Sequence, residues 1–195
     1  MLASASPRRL ELLRSLGLTV EVAASGYDEA PLPVPPAELA SVHAAAKLRA
    51  VMERRPSREL PLLAADTVVD LDGDALGKPH DPDEAVSMLT RLSGREHLVH
   101  TAFALATPAG EPVEERSTTR VRFYRLEPGE IATYVASGEP FDKAGAYGIQ
   151  GRAAALVESI AGDFYTVMGL PLGRVVRALR RLGFVLPIPN QARLA

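Results

Sequence analysis

Residues 62–79 read LLAADTVVDLDGDALGKP, and the rest of the chain is arranged around them. The apolar run at the start of this stretch is bounded by turn signals, which predicts a buried β-strand. Asp66 interrupts the run, and an ionised carboxylate is costly there unless it is paired, hydrogen-bonded or bound to a metal. Asp72 and Gly73 predict a tight hairpin that returns Lys78 towards Asp66. Asp66 is therefore a candidate catalytic group, with a strand-end cap or a structural ion pair as the alternative.

Composition limits the class of protein. The chain has 195 residues, a formal net charge of −2 and no cysteine. The length suits one domain, and the interspersed charges indicate no nucleic-acid-binding face. The absence of cysteine excludes disulfides, thiolate catalysis and cysteine zinc sites. There is neither a signal-peptide core nor an apolar run of about 18 residues. We therefore expect a soluble, cytoplasmic protein that acts on a small molecule, with no nucleic-acid or membrane partner.

Two further stretches are unusual. Ser6 and Pro7 predict a helix start, and Arg8 and Arg9 follow in its first turn. The helix dipole disfavours cations there, whereas free N–H groups and two guanidinium groups suit a phosphate; two solvated arginines are the alternative. Residues 141–151, FDKAGAYGIQG, contain three glycines within seven positions. Such a backbone can approach a ligand closely, and a surface loop without a ligand is the alternative.

The remaining pattern alternates helices and strands. It predicts an α/β fold in which an elongated, mixed, twisted sheet is flanked by helices. We expect a single domain over 1–186, with two lobes around a central cleft, and a flexible tail over 187–195. Helices are predicted to begin near Pro7, Ala37, Pro82, Glu127 and Pro171, with Asp81 as the cap of the helix at Pro82. Strands are predicted at 1–4, 19–23, 62–69, 96–106, 114–124, 154–160 and 184–186. His97 and His100 are expected on opposite faces of a strand, which argues against a shared metal.

The unusual polar residues divide by charge into the acids Glu29 and Asp66 and the bases Arg8, Arg9, Lys47, Lys78 and Lys143. Two carboxylates can hold a hard divalent cation, normally Mg²⁺, and several cations can neutralise a polyphosphate. Taken alone, Lys47 is predicted to be a lysine that extends from the edge of a helix face to solvent. The motifs GxxxxGK[ST], GxGxxG and GxSxG are absent, so the sequence indicates neither an ordinary P-loop NTPase nor a serine hydrolase.

Six motifs resemble those of the Maf family and occur in that family's order. They are LASASPRRLELL at 2–13, AADTVV at 64–69, LGKPHDPDEAV at 76–86, LSGREHLVHT at 92–101, DKAGAYGIQG at 142–151 and GLPLG at 169–173. The resemblance implies an α/β fold similar to that of inosine triphosphate pyrophosphatases. It also implies a homodimer and the hydrolysis of nucleoside triphosphates to the monophosphate and pyrophosphate.

The resemblance further implies roles for single residues. Asp66 would be the proton acceptor, and Glu29 and Asp66 would hold the divalent cation, Mg²⁺ or Mn²⁺. Arg8, Thr67, Lys78 and Gln150 fall on positions associated with substrate choice and look like the branch that acts on dTTP and UTP. The expected substrate-binding set is Ser6, Arg8, Arg9, Lys47, Thr67, Lys78, Lys143 and Gln150.

Two departures from the family pattern and two rival functions remain. The first strand is shorter than usual, and Thr166 stands where relatives often have asparagine. One rival is a non-catalytic nucleotide-binding regulator of cell division and septum formation. The other is a Mg²⁺-dependent phosphate-ester enzyme that has no base preference.

Overall fold

The computed structural model describes residues 1–56, 59–108, 110 and 112–187, and it confirms the predicted α/β fold with helices around a sheet. The helices are α1 (Pro7–Ser15), α2 (Pro36–Arg54), α3 (Pro82–Leu92), α4 (Pro128–Ala136), α5 (Phe164–Met168) and α6 (Leu172–Arg181). The strands are β1 (Leu62–Leu71), β2 (Asp74–Leu76), β3 (Glu96–Ala106), β4 (Val113–Phe123) and β5 (Val157–Ala161). Short 3-10 turns lie at Glu139–Asp142, Ala144–Ala146 and Gly151–Ala155.

The five strands form one sheet in the order β2-β1-β3-β4-β5, and each neighbouring pair is antiparallel. Among the described residues, parallel pairing occurs only at Leu2, which bridges Val22 on one side and Leu63 on the other. The strands predicted at 1–4 and 19–23 are therefore reduced to one bridging residue each, Leu2 and Val22. The first of them is short because the chain turns after Ser4 and enters α1.

Each face of β1 packs against different helices, because successive side chains of a strand point to opposite sides. Leu62 and Ala64 pack against residues of α2. Leu63 and Ala65 point the other way and pack against residues of α1 and α6. Further along that second face, Val69 packs in a cluster with residues of α3 and α4. Two adjacent residues of β1 therefore reach two different groups of helices.

The outer edge of β1 has a gap at Asp66. On this edge, Leu63 exchanges backbone hydrogen bonds with the N-terminal segment, and β2 pairs only with residues 69–71. Backbone groups alternate between the two edges of a strand, so the N–H and C=O of Ala65 and Thr67 face the same outer edge as those of Leu63. No strand within the described residues covers them there. The sheet edge is thus open between the N-terminal segment and β2.

Local signals set several element ends as predicted. The side chain of Ser6 caps α1 by accepting from the Arg9 amide, and Asp81 caps α3. Asp72 and Gly73 form the two-residue turn between β1 and β2 with φ of 56° and 92°. This left-handed geometry matches the twist of a hairpin, which is why an Asp-Gly pair predicts it.

Two strand predictions need correction. Residues 154–160 were expected to form a buried strand, but they begin with the end of a 3-10 turn and continue into β5, which is largely exposed. The reason is that β5 pairs with β4 alone and forms an edge of the sheet. Residues 184–186 form no strand, because Gly183 adopts φ of 86° and the Phe184 amide donates back to the Leu179 carbonyl of α6.

One short helix was missed, and one prediction cannot be compared with the structure. Helix α5 begins at the capping side chain of Asp163 and ends at Gly169, where φ is 107°. Its five residues are too few for an apolar period, so the cap and the glycine were the available signals. The predicted tail at 187–195 lies outside the described residues except for Pro187. Within the residues that the structure describes, none of the helices combines the length and apolar character that a bilayer span requires.

Three aromatic side chains form a buried cluster between the sheet and the segment that follows α4. His97 of β3, Phe123 of β4 and Tyr147 contact one another edge to face, with ring centroids 4.7–5.3 Å apart. Burial lowers the pKa of His97 to about 4. His100 is bonded instead to Asp70 and Thr118, so the two histidine side chains have different surroundings.

We expect the free energy of unfolding to fall as the pH falls from about 6.5 to about 4, because the unfolded chain then binds a proton at His97 that the folded chain does not bind. The lowered pKa of this histidine corresponds to a loss of at most about 3 kcal/mol. Urea unfolding of the wild type and of His97→Gln at about pH 7 and about pH 5 measures this loss. Equal pH dependence of the two proteins would contradict the prediction.

Candidate active site

A cavity of about 530 Å³ is lined by the gap in the edge of β1, by α1 and α2, and by the glycine-rich segment 141–151. This volume falls within the range of small-molecule sites, about 300–1,000 Å³. All ten residues that the sequence singled out line it: Ser6, Arg8, Arg9, Glu29, Lys47, Asp66, Thr67, Lys78, Lys143 and Gln150. Residues that are up to 144 positions apart in the chain are thus brought together.

Lys47 joins the two carboxylates of the cavity. Its Nζ lies 2.5 Å from Asp66 Oδ1 and 2.5 Å from Glu29 Oε1. The side chains of Lys47 and Asp66 are each only 6% exposed. The prediction that Lys47 extends to solvent is therefore wrong, because α2 packs on the face of β1 to which Asp66 points. The ammonium group supplies the partner that a buried carboxylate needs.

Three nearby cations, Lys47, Lys78 and Arg9, keep Glu29 in the ionised state. Burial by itself would raise its pKa, but the hydrogen bond and charge of Lys47, together with the charges of Lys78 and Arg9, lower the pKa below the ordinary value. Its side chain remains 41% exposed. Glu29 therefore presents a charged carboxylate that a ligand in the cavity can reach.

The carboxylate pair fits a divalent cation. Both carboxylate oxygens contact one ammonium nitrogen, so they lie within about 5 Å of each other, and one ion with oxygen ligands can bind both. Among the described residues, no three His, Cys, Asp or Glu side chains form a metal-binding group. An ion held by Glu29 and Asp66 would therefore take its other ligands from water and from the substrate, as Mg²⁺ commonly does.

Arg9 is fixed by hydrogen bonds from all three of its side-chain nitrogens. Its Nε donates to the Gly169 carbonyl at 2.8 Å, Nη1 to Ser4 Oγ at 3.2 Å and Nη2 to Thr67 Oγ1 at 3.0 Å. The Thr67 hydroxyl is also bonded to the Thr101 hydroxyl at 2.9 Å. Thr67 thus holds Arg9 in place. Ser4 and Thr101 were missed because nothing in a strand or turn pattern marks a hydroxyl that supports an arginine.

Asp142 connects Arg8 to Lys143 at the cavity. Arg8 Nη1 donates to one carboxylate oxygen at 2.7 Å, and Lys143 Nζ donates to the other at 2.6 Å. Burial would raise the pKa of Asp142, but these two hydrogen bonds and charges lower it. Asp142 is not among the site residues that the sequence predicts. Its position beside Lys143 was the available signal, whereas its contact with Arg8 depends on the tertiary fold.

Glycines allow the segment that carries Gln150 to pack closely. A Cβ at Gly151, where φ is 70°, would lie 2.8 Å from the carboxylate of Glu139. The Gly145 amide donates to the Gly77 carbonyl at 2.9 Å, which ties this segment to the residue between β2 and Lys78. The predicted use of glycine for close backbone approach is therefore seen, and Gln150 itself stays exposed.

A family model described as Maf-like protein matches residues 1–182. The chain belongs to the Maf family. A dTTP/UTP pyrophosphatase of Thermus thermophilus is 54% identical, over 94% of this chain and 95% of its own length. A protein of the same name from Symbiobacterium thermophilum is 51% identical, over 94% of each chain. Among solved structures, a HAM1 protein from Coxiella burnetii covers 92% of this Maf chain and 97% of its own, with a TM-score of 0.50 and 17% identity, which shows a shared fold alone.

We expect Lys47→Met to lower the free energy of unfolding in EDTA by about 3–5 kcal/mol, because it leaves two carboxylates without their buried partner. Mg²⁺ without nucleotide should then raise the Tm of this variant more than that of the wild type, since the ion need not compete with the ammonium group. Urea and thermal unfolding with EDTA or Mg²⁺ measure both effects.

Arg91→Met is the control for this comparison, because it removes the cation of an exposed ion pair with Asp74. Its loss should stay below about 1 kcal/mol and should not respond to Mg²⁺. An equal loss in the two variants would show that the Lys47 bridge contributes no more than a surface ion pair.

Proposed function

We propose that this Maf protein hydrolyses nucleoside triphosphates, with dTTP and UTP preferred, to the monophosphate and pyrophosphate. The observation that carries the proposal is the charge arrangement of the cavity, where the pair Glu29 and Asp66 lies among five cations, Arg8, Arg9, Lys47, Lys78 and Lys143. Enzymes that act on polyphosphates use carboxylates to hold a metal ion and basic groups to neutralise the phosphate charge. The names of the relatives that are more than 50% identical support the same substrates.

In this proposal, Asp66 accepts a proton from the water that attacks the α-phosphorus. A new P–O bond forms as the bond from this phosphorus to the bridging oxygen breaks, and pyrophosphate leaves. Lys47 orients the Asp66 carboxylate through their 2.5 Å contact. Arg9 is already fixed by three hydrogen bonds, so it can stabilise the developing charge without reorganising.

We also propose that Glu29 and Asp66 hold a divalent cation, with Mg²⁺ as the first choice and Mn²⁺ as the other candidate. When bound, such an ion neutralises phosphate charge and lowers the pKa of nearby water. The support from this chain is the common contact of both carboxylates with one cationic nitrogen, which is the charge and spacing that the ion would need.

Gln150 is proposed to recognise the base of the nucleotide. Thymine and uracil present a carbonyl acceptor beside an N–H donor, and a side-chain amide offers the complementary donor and acceptor. Cytosine reverses that order. A wrong base leaves polar groups unpaired, which costs about 1–3 kcal/mol for each buried group.

A panel of dTTP, UTP, CTP, ATP and GTP with Mg²⁺, assayed separately for pyrophosphate and orthophosphate, tests the function. We expect pyrophosphate as the product and the highest kcat/KM for dTTP and UTP. Asp66→Asn should lower kcat by about 10²–10⁴-fold, because an amide cannot take the proton. Its Tm should also fall, since the buried Lys47 ammonium then keeps only Glu29 as a charged partner, so kcat is measured at a temperature at which the variant is folded. Near wild-type kcat in this variant would exclude Asp66 as the proton acceptor.

The same panel separates the rival functions. Nucleotide binding without any turnover would indicate a regulator of the kind associated with cell division. Turnover without base preference, or release of orthophosphate alone, would indicate a phosphate-ester enzyme. Either result would refute the proposed activity.

We expect Gln150→Ala to reduce the ratio of kcat/KM for dTTP over CTP by about 5- to 20-fold, while the rate on CTP changes little. The variant removes discrimination and leaves Asp66 and Glu29 intact. Arg152→Ala is the control, because this exposed side chain lies just beyond the segment and does not line the cavity. Equal losses on all five nucleotides would place Gln150 in phosphate binding or in the folding of the segment instead.

A further inference from the structure

Tyr147 belongs to two environments at once. It lines the cavity three residues before Gln150, yet it is only 4% exposed. Its hydroxyl lies 2.6 Å from Nε2 of His97 on β3, and the atoms of this contact are buried. One residue therefore connects residues 143–151, the greater part of the glycine-rich segment, to the core of the sheet.

The contact is a single defined hydrogen bond. Burial raises the pKa of Tyr147 above its ordinary value, so the phenol keeps its proton. Burial also keeps the His97 ring neutral near pH 7. The other ring nitrogen, Nδ1, is buried and has no hydrogen-bond partner among the described residues. The bond to Tyr147 is therefore the only side-chain hydrogen bond of this histidine in the described part of the chain.

The segment depends on this anchor because it has few others. Its backbone forms the short 3-10 turn Ala144–Ala146, enters a second one at Gly151, and pairs with none of the described strands of the sheet. Gly145 and Gly151 adopt positive φ there, so the backbone gains no stiffness from side chains at those positions. The Gly145 amide is tied to Gly77, and the side chains of Ala146, Tyr147 and Ile149 are buried between Gly145 and Gln150. Of these three, only Tyr147 has a polar side-chain group, and that group bonds to β3.

We propose that Tyr147, through its hydrogen bond to His97, is a positioning residue for base selection by Gln150. The proposal rests on the proposed nucleotide pyrophosphatase activity. Tyr147 acts by fixing the segment, whereas its hydroxyl points into the core and does not touch the base. Removing the bond leaves the ring in place but allows Gln150 to leave the geometry that distinguishes thymine and uracil from cytosine.

The test uses Tyr147→Phe, which deletes one hydroxyl and keeps the ring. We expect KM for dTTP to rise by about 3- to 10-fold and the dTTP-over-CTP ratio of kcat/KM to fall by a similar factor, with kcat within about 2-fold. His97→Phe should produce the same pattern, and the double variant should be no worse than either single variant, because both remove one interaction.

Tyr124→Phe is the control. It also deletes one tyrosine hydroxyl, but Tyr124 follows β4, is 51% exposed and does not line the cavity. It should leave KM and the substrate ratios unchanged. Equal effects of the two tyrosine variants would overturn the proposal, and so would a fall in kcat that is the same for all nucleotides with KM unchanged.

Amide hydrogen exchange separates this proposal from the proposed function. Exchange requires no turnover, so it applies even if the wild type hydrolyses no nucleotide. Faster exchange at 143–151 in Tyr147→Phe, but not in Tyr124→Phe, supports the positioning role. Unchanged exchange in that segment would overturn the role whatever the activity of the wild type.

Discussion

The candidate site depends on one buried ammonium group. Lys47 Nζ contacts both Asp66 and Glu29, and it supplies the partner that a carboxylate buried among the apolar residues of β1 needs. The contact also ties α2 to the loop that carries Glu29. One interaction thus stabilises the packing of a helix on the sheet and sets the distance between the two acids. The same geometry prepares the cavity for a cation and for a phosphate chain.

The open edge of the sheet explains where this cavity lies. Because β2 covers only residues 69–71 and the N-terminal segment covers Leu63, the middle of β1 has no strand neighbour on its outer side in the part of the chain that the structure describes. Asp66 and Thr67 are adjacent there but point to opposite faces. Asp66 reaches Lys47, and Thr67 reaches Arg9, so the alternation of a single strand brings groups from two sets of helices to one gap.

Most charged groups around the gap are held by other parts of the chain before any ligand binds. Arg9 makes three hydrogen bonds, and Asp142 binds Arg8 and Lys143 together. Fixed groups lose less conformational entropy on binding and need less reorganisation during the reaction. The segment with Gln150 is fixed in a different way, on its core side, through the hydrogen bond between Tyr147 and His97.

The sequence by itself determined the elements whose signals are local: the caps at Ser6 and Asp81, the Asp72-Gly73 hairpin, the strand around Asp66 and the motif residues that line the cavity. It could not determine that residues 184–186 turn back onto α6, that Lys47 is buried, or that Asp142 contacts Arg8 and Tyr147 contacts His97. Caps, turns and periodicity depend on neighbours within a few residues, so the chain order contains them. Burial and long-range hydrogen bonds depend on which faces meet after folding, and only the tertiary structure decides that.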